Sequence, residues 1–132
     1  KVVLPIPDRP AELEILRRHA TGFDPRDVAA AGVEAVAGAA DIAAGQAAVK
    51  KVQVSPDVAG YIVDIARATR ESPSIGLGVS PRGATALLRA ARAWAWLTGR
   101  DFVTPDDVKA LAHATLVHRL GLRPEAEHGR GP

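Results

Sequence analysis

Three times in this chain a hydroxyl residue stands directly before a proline where an apolar pattern of helical spacing begins: Ser55-Pro56, Ser80-Pro81 and Thr104-Pro105. The hydroxyl can accept a hydrogen bond from a first-turn backbone N–H, and a proline loses nothing at the first helical position. These pairs set three helix starts and make a helical protein the first expectation. The dominance of alanine and the scarcity of β-branched or aromatic alternation agree with it.

After two of the prolines comes an acid, Asp57 and Asp106, as the positive end of the helix dipole prefers. After the middle one comes Arg82. A cation there is locally unfavourable, so some other requirement selects it. First-turn N–H groups and a guanidinium together suit a phosphate. A solvated surface arginine is the alternative.

Along the chain, residues 1–7 read as extended, held from helix by Pro5 and Pro7, and Asp8 caps a first helix to about His19 with Leu13, Leu16 and Ala20 on one face. Asp24-Pro25-Arg26-Asp27 starts a short turn ending at Gly32, within a Gly- and Ala-rich stretch that periodicity leaves open. A second helix runs from Ala39 to about Lys51, with Ile42 and Val49 inward and Gln46 read as a buried hydrogen-bonding amide. From Ser55 to about Arg70, Val58, Tyr61, Ile62, Ile65, Ala66 and Thr69 follow the helical repeat closely. A loop, 71–79, leads to the Pro81–Leu97 helix, whose apolar stripe is Ala84, Leu87, Leu88, Ala91, Trp94 and Ala95. Its other side carries Arg82, Arg89, Arg92 and Trp96. Gly99 ends that helix, and Thr104 with Asp107 forms a capping box for the last, which fades near Leu120. The expectation is an all-α bundle of about five helices over residues 1–120, then a flexible tail, 121–132.

A net charge of +2 offers no strong field for nucleic acid, a membrane or an acidic substrate. The absence of cysteine removes disulfides, thiolate metal sites and cysteine nucleophiles, and fits a cytoplasmic setting. No apolar run reaches the length of a membrane span. The chain holds neither a Gly-x-x-x-x-Gly-Lys-Ser/Thr loop nor a hydrophobic strand ending in paired acids, so it does not process a nucleotide by that route alone. Gly76-x-Gly78 follows no strand and is no dinucleotide fingerprint. His113 and His118 lie five apart, a spacing that does not stack them on one helix face, and no metal is expected. Ser55 and Ser80 are accounted for as caps, so the isolated chain is read as non-catalytic. With no methionine, it is expected to be a piece of something longer.

Gly78-Val79-Ser80-Pro81-Arg82-Gly83, the Ala/Leu-rich helix after it, Gly99-Arg100-Asp101-Phe102-Val103-Thr104-Pro105-Asp106-Asp107-Val108 and His118-Arg119-Leu120 together resemble the helical lid domain of MoxR-type AAA+ ATPases. Val52-Gln53-Val54-Ser55-Pro56, Tyr61-Ile62-Val63-Asp64, Ala68-Thr69-Arg70 and Leu4-Pro5-x-Pro7 extend the likeness upstream. The resemblance implies an α/β nucleotide-binding domain before this chain and ATP with Mg bound there. It implies that Arg82 is the sensor 2 residue reading the γ-phosphate, with Ser80 and Gly83 close to the nucleotide. One of Tyr61, Ile62 and Ile65 would graze the adenine, and Arg70 and Arg119 would be interface or structural residues. The resemblance also implies neighbouring subunits in a ring, commonly hexameric, chaperone-like remodelling, and a von Willebrand factor A domain partner. The family often has alanine where Gly83 stands, a departure that would loosen the first turn.

A second reading is a free-standing module binding nucleic acid or protein through Arg89, Arg92 and Trp96. In that case DNA affinity falls steeply with added salt, and no mobility shift at about 50 mM salt and high protein concentration would dismiss it.

Overall fold

In a computed structural model, described here for residues 1–124, the chain has five helices and one two-stranded sheet among the described residues. The helices are α1 Arg9–Ala20, α2 Ala39–Lys51, α3 Pro56–Glu71, α4 Pro81–Leu97 and α5 Pro105–Leu116; the strands are β1 Ile75–Leu77 and β2 Gly121–Leu122. A 3₁₀ turn, Val117–Arg119, joins α5 to β2. The all-α expectation holds, and α2 and α4 keep the limits read from the sequence.

The chain divides into two compact units, Val2–Ile42 and Ala43–Pro132 with Lys1. In the first, Asp8 caps α1 by accepting from the Ala11 N–H at 3.0 Å, and Glu14 receives Arg17 and Arg18 at 2.7 and 2.8 Å. Asp27 accepts from the Ala30 N–H, and Gly22 and Gly32 take positive φ, so residues 21–32 are capped turns. No residue of this unit is buried: Leu13 and Leu16, expected on an inward face, are exposed. α1 is therefore held by local capping and charge pairs.

The second unit holds the core, built from Val52, Val58, Ile62, Ala66, Val79, Leu87, Ala91, Ala95, Val103, Val108 and Leu116. Small residues, Ala66 of α3 and Ala91 and Ala95 on successive turns of α4, let the helices approach closely. The segments before α3 and before α5 run side by side: the Gln53 N–H donates to Asp101 O at 2.7 Å and the Val103 N–H to Gln53 O at 3.0 Å. Arg92 Nε closes this junction by donating to Val52 O at 3.0 Å.

Three placements differ from the sequence reading. Ile42 is 59 % exposed and Gln46 is exposed, since α2 contributes no buried residue and none to the core. Trp94 is 42 % exposed, at the margin of the stripe rather than within it. Residues 75–77 of the expected loop pair antiparallel with Gly121–Leu122, and the Arg123 N–H donates to Ser74 O at 3.1 Å. The first residues of the expected tail thus belong to the fold; residues 125–132 lie outside those described.

At the α4–α5 junction, Arg100 places both terminal nitrogens on Asp107, at 2.6 and 2.5 Å, while Asp107 Oδ2 also accepts the Thr104 N–H and hydroxyl at 2.8 and 2.9 Å. Asp107 is buried, and the Arg100 guanidinium pulls its pKa down to about 2 against the opposing cost of burial, with Thr104 assisting. A carboxylate lowered on folding stabilises the folded state above its unfolded range near about pH 4 and loses that contribution as pH falls through the folded value. Unfolding free energy should therefore drop by about 2 kcal/mol between those limits. Asp107→Asn should cost about 2 kcal/mol at neutral pH and remove that acid-dependent drop, as read by denaturant titration across pH.

Candidate phosphate-reading site

The site forms where α3 fixes the chain just ahead of α4. Gly78 crosses the last turn of α3 so closely that a Cβ there would lie 2.6 Å from Arg70 Cγ and 2.8 Å from Arg70 Cα. The next residue is held on both sides: the Val79 N–H donates to Thr69 Oγ1 at 2.9 Å, and Arg70 Nη1 donates to Val79 O at 2.9 Å. The Val79 side chain is wholly buried, so Ser80 leaves the core in a defined direction. Ser80 then caps α4, its hydroxyl accepting from the Gly83 N–H at 3.3 Å.

Arg82 stands exposed in the first turn that this arrangement creates. It lines a shallow concavity with Thr85, Ala86 and Arg89 of α4 and with Arg119 from the 3₁₀ turn. Among the described residues, none of the three arginines has a carboxylate oxygen within ion-pairing distance. Arg119 Nε donates to Thr115 O at 3.1 Å, which leaves its terminal nitrogens for another partner. On the other side of Thr85 lies an apolar groove lined by Ile62, Ala66, Pro81, Ala84 and Leu88. A cationic hollow and an apolar groove share one helix turn.

Residues 67–131 match the family model described as AAA lid domain. An uncharacterized protein, YeaC, of Bacillus subtilis is 50 % identical over 82 residues, 62 % of this chain and 26 % of that protein. Protein MoxR of Paracoccus denitrificans is 42 % identical over 89 residues, 58 % of this chain and 26 % of that one. The chain carries an AAA lid domain and is similar to proteins named MoxR.

Chaperone MoxR1 of Mycobacterium tuberculosis is 36 % identical to the lid over 75 residues, 50 % of this chain and 20 % of that protein. A crystal structure from Cytophaga hutchinsonii, named provisionally as an ATPase, matches 97 % of the lid chain at 30 % identity with a TM-score of 0.73. The chain covers 40 % of that structure and about a quarter or less of the curated relatives it matches.

Of the residues singled out in the sequence, Ser80, Arg82 and Gly83 come together in the first turn of α4, and Arg89 joins them two turns on. Arg92 and Trp96 do not share that surface. Arg92 is bonded into the junction through Val52 O, and Trp96 lies over α2, its ring 3.2 Å from where a Gly45 Cβ would stand. The arginine–tryptophan face expected from helical spacing is thus split between the site and the packing of the lid. Gly83 is buried, and a Cβ there would meet Val79 Cγ1 at 2.7 Å. Arg119 is the residue sequence reasoning left aside, because no periodicity links the 3₁₀ turn to the start of α4.

Gly78→Ala should destabilise the lid by about 2–3 kcal/mol, since the new methyl meets helix backbone that has no room to yield. Thermal unfolding of that variant against Gly60→Ala, a site with open space around it, checks the effect.

Proposed function

We propose that the lid closes over ATP bound by an upstream α/β domain, with Arg82 as the sensor 2 residue on the γ-phosphate and Mg held with the nucleotide by that domain. The observation that carries this reading is Arg82 itself: an exposed guanidinium in a first helical turn, against the helix dipole, without a carboxylate partner among the described residues. Such a group is costly where it stands and becomes favourable when two phosphate oxygens accept its parallel N–H donors. The apolar groove beside Pro81 suits a base or ribose face, and of the three residues considered for adenine, Ile62 is the one that lines it. Ser80 and Gly83 serve by fixing the turn, as a cap and as a buried glycine.

Loss of the γ-phosphate removes the bonds to Arg82, and the lid then turns relative to the domain it covered. In a ring of subunits, commonly six in this family, that rotation passes to neighbours and drives chaperone-like remodelling of a partner, with a von Willebrand factor A domain protein as one candidate. No helix among the described residues is long and apolar enough to cross a membrane, which is compatible with a cytoplasmic role.

The test is ATP hydrolysis by a protein in which this lid follows its nucleotide-binding domain. Arg82→Ala should lower kcat on the order of 10²-fold while nucleotide still binds. An unchanged rate would remove Arg82 from the reaction.

A further inference from the structure

We propose that Arg119 is a second arginine on the same phosphate, completing with Arg82 a two-guanidinium clamp that distinguishes a nucleoside triphosphate from a diphosphate. This rests on the lid reading above and adds to it a residue from a different element.

The first support is position. Arg119 reaches the concavity from the 3₁₀ turn Val117–Arg119, which is fastened at both ends: α5 precedes it, and β2, paired with β1, follows. The β1–β2 pairing ties that turn to the connection leading into α4, so Arg119 and Arg82 are held to the same short stretch of the fold. The second support is the glycine between them. The Arg119 stem passes the open side of Gly83, its Cδ 3.5 Å from where a Cβ would stand, so the missing side chain leaves room for the arginine to lie along the first turn of α4. The third is donor use. Arg119 spends Nε on Thr115 O, a bond that orients the planar group, and the residue lines the hollow with Arg82 and Arg89.

Electrostatics then asks for an anion. Three arginines line one concavity with no carboxylate oxygen in ion-pairing reach among the described residues. Their mutual repulsion is relieved by a group with several acceptor oxygens and more than one negative charge. A terminal phosphate has both properties. Arg89, two turns further along α4, lines the same concavity and adds to its field.

The experiment measures binding of ADP and of AMP-PNP, a non-hydrolysable ATP analogue, by titration calorimetry on the full-length ATPase that carries this lid. Arg119→Gln should weaken AMP-PNP about tenfold and leave ADP unchanged, a loss typical of one charge-assisted contact. Arg119→Lys, which keeps the charge but loses the planar fork and the bond to Thr115 O, should lose less than Arg119→Gln. An equal loss in both variants would assign the effect to the bond with Thr115 and overturn the proposal. If Arg119→Gln leaves the preference for AMP-PNP over ADP intact while Arg82→Ala reduces it, Arg119 is not a reader and the lid reading stands. If neither variant alters that preference, both fall together.

Discussion

The bidentate pair between Arg100 and Asp107 holds the two longest-packed helices of the lid in one arrangement. Asp107 performs three tasks at once. It completes the capping box of α5, neutralises Arg100 and satisfies the Thr104 hydroxyl, all from a buried position. Removing it would leave Arg100 and the two Thr104 donors without their acceptor, and a carboxylate so buried is tolerated only with its oxygens in use. Around this junction the Gln53 bridge and Arg92 bind the start of α3 to the start of α5, and the helices that present the site inherit that order.

The contrast between the arginines of this protein follows from their partners. Arg100 is matched by a carboxylate, Arg92 and Arg70 by backbone carbonyls, and each of these serves the fold. Arg82, Arg89 and Arg119 are gathered without a carboxylate among the described residues, on a surface beside an apolar groove. A cation placed against a helix dipole, among other cations, lowers the stability of the lid alone. That cost would be recovered on binding an anion, as the proposed phosphate-sensing role requires.

Much of the architecture was legible in the sequence because it rests on local chemistry. Hydroxyl–proline pairs mark where α3, α4 and α5 begin, and the observed caps are the residues expected: Ser55, Ser80 and Thr104. The inward faces of α3 and α4 follow from their helical repeat, with Val58, Ile62, Leu87 and Ala91 buried. The order of motifs from Gly78 to Leu120 was enough to place the chain in its family. Less was legible where a residue's fate depends on a segment far along the chain. Helical spacing put Arg89, Arg92 and Trp96 on one face, but Val52 recruits Arg92 and the Trp96 ring rests against Gly45 of α2. Gln46 and Ile42 looked inward on a helix that has no buried residue.

By itself the sequence determined the helix starts, the apolar stripes, the lone arginine in the first turn of α4 and the absence of a phosphate loop of its own. Each depends on residues within a few positions of one another, where hydrogen bonding, proline geometry and the helix dipole act directly. Only the tertiary structure decided that Gly78 and Gly83 are glycines because of what presses on them, and that Gly121–Leu122 pairs with Ile75–Leu77. It alone brought Arg119 beside Arg82. Close approach and strand pairing join residues tens of positions apart, and no periodicity in a single segment encodes which distant atom will fill the space beside it.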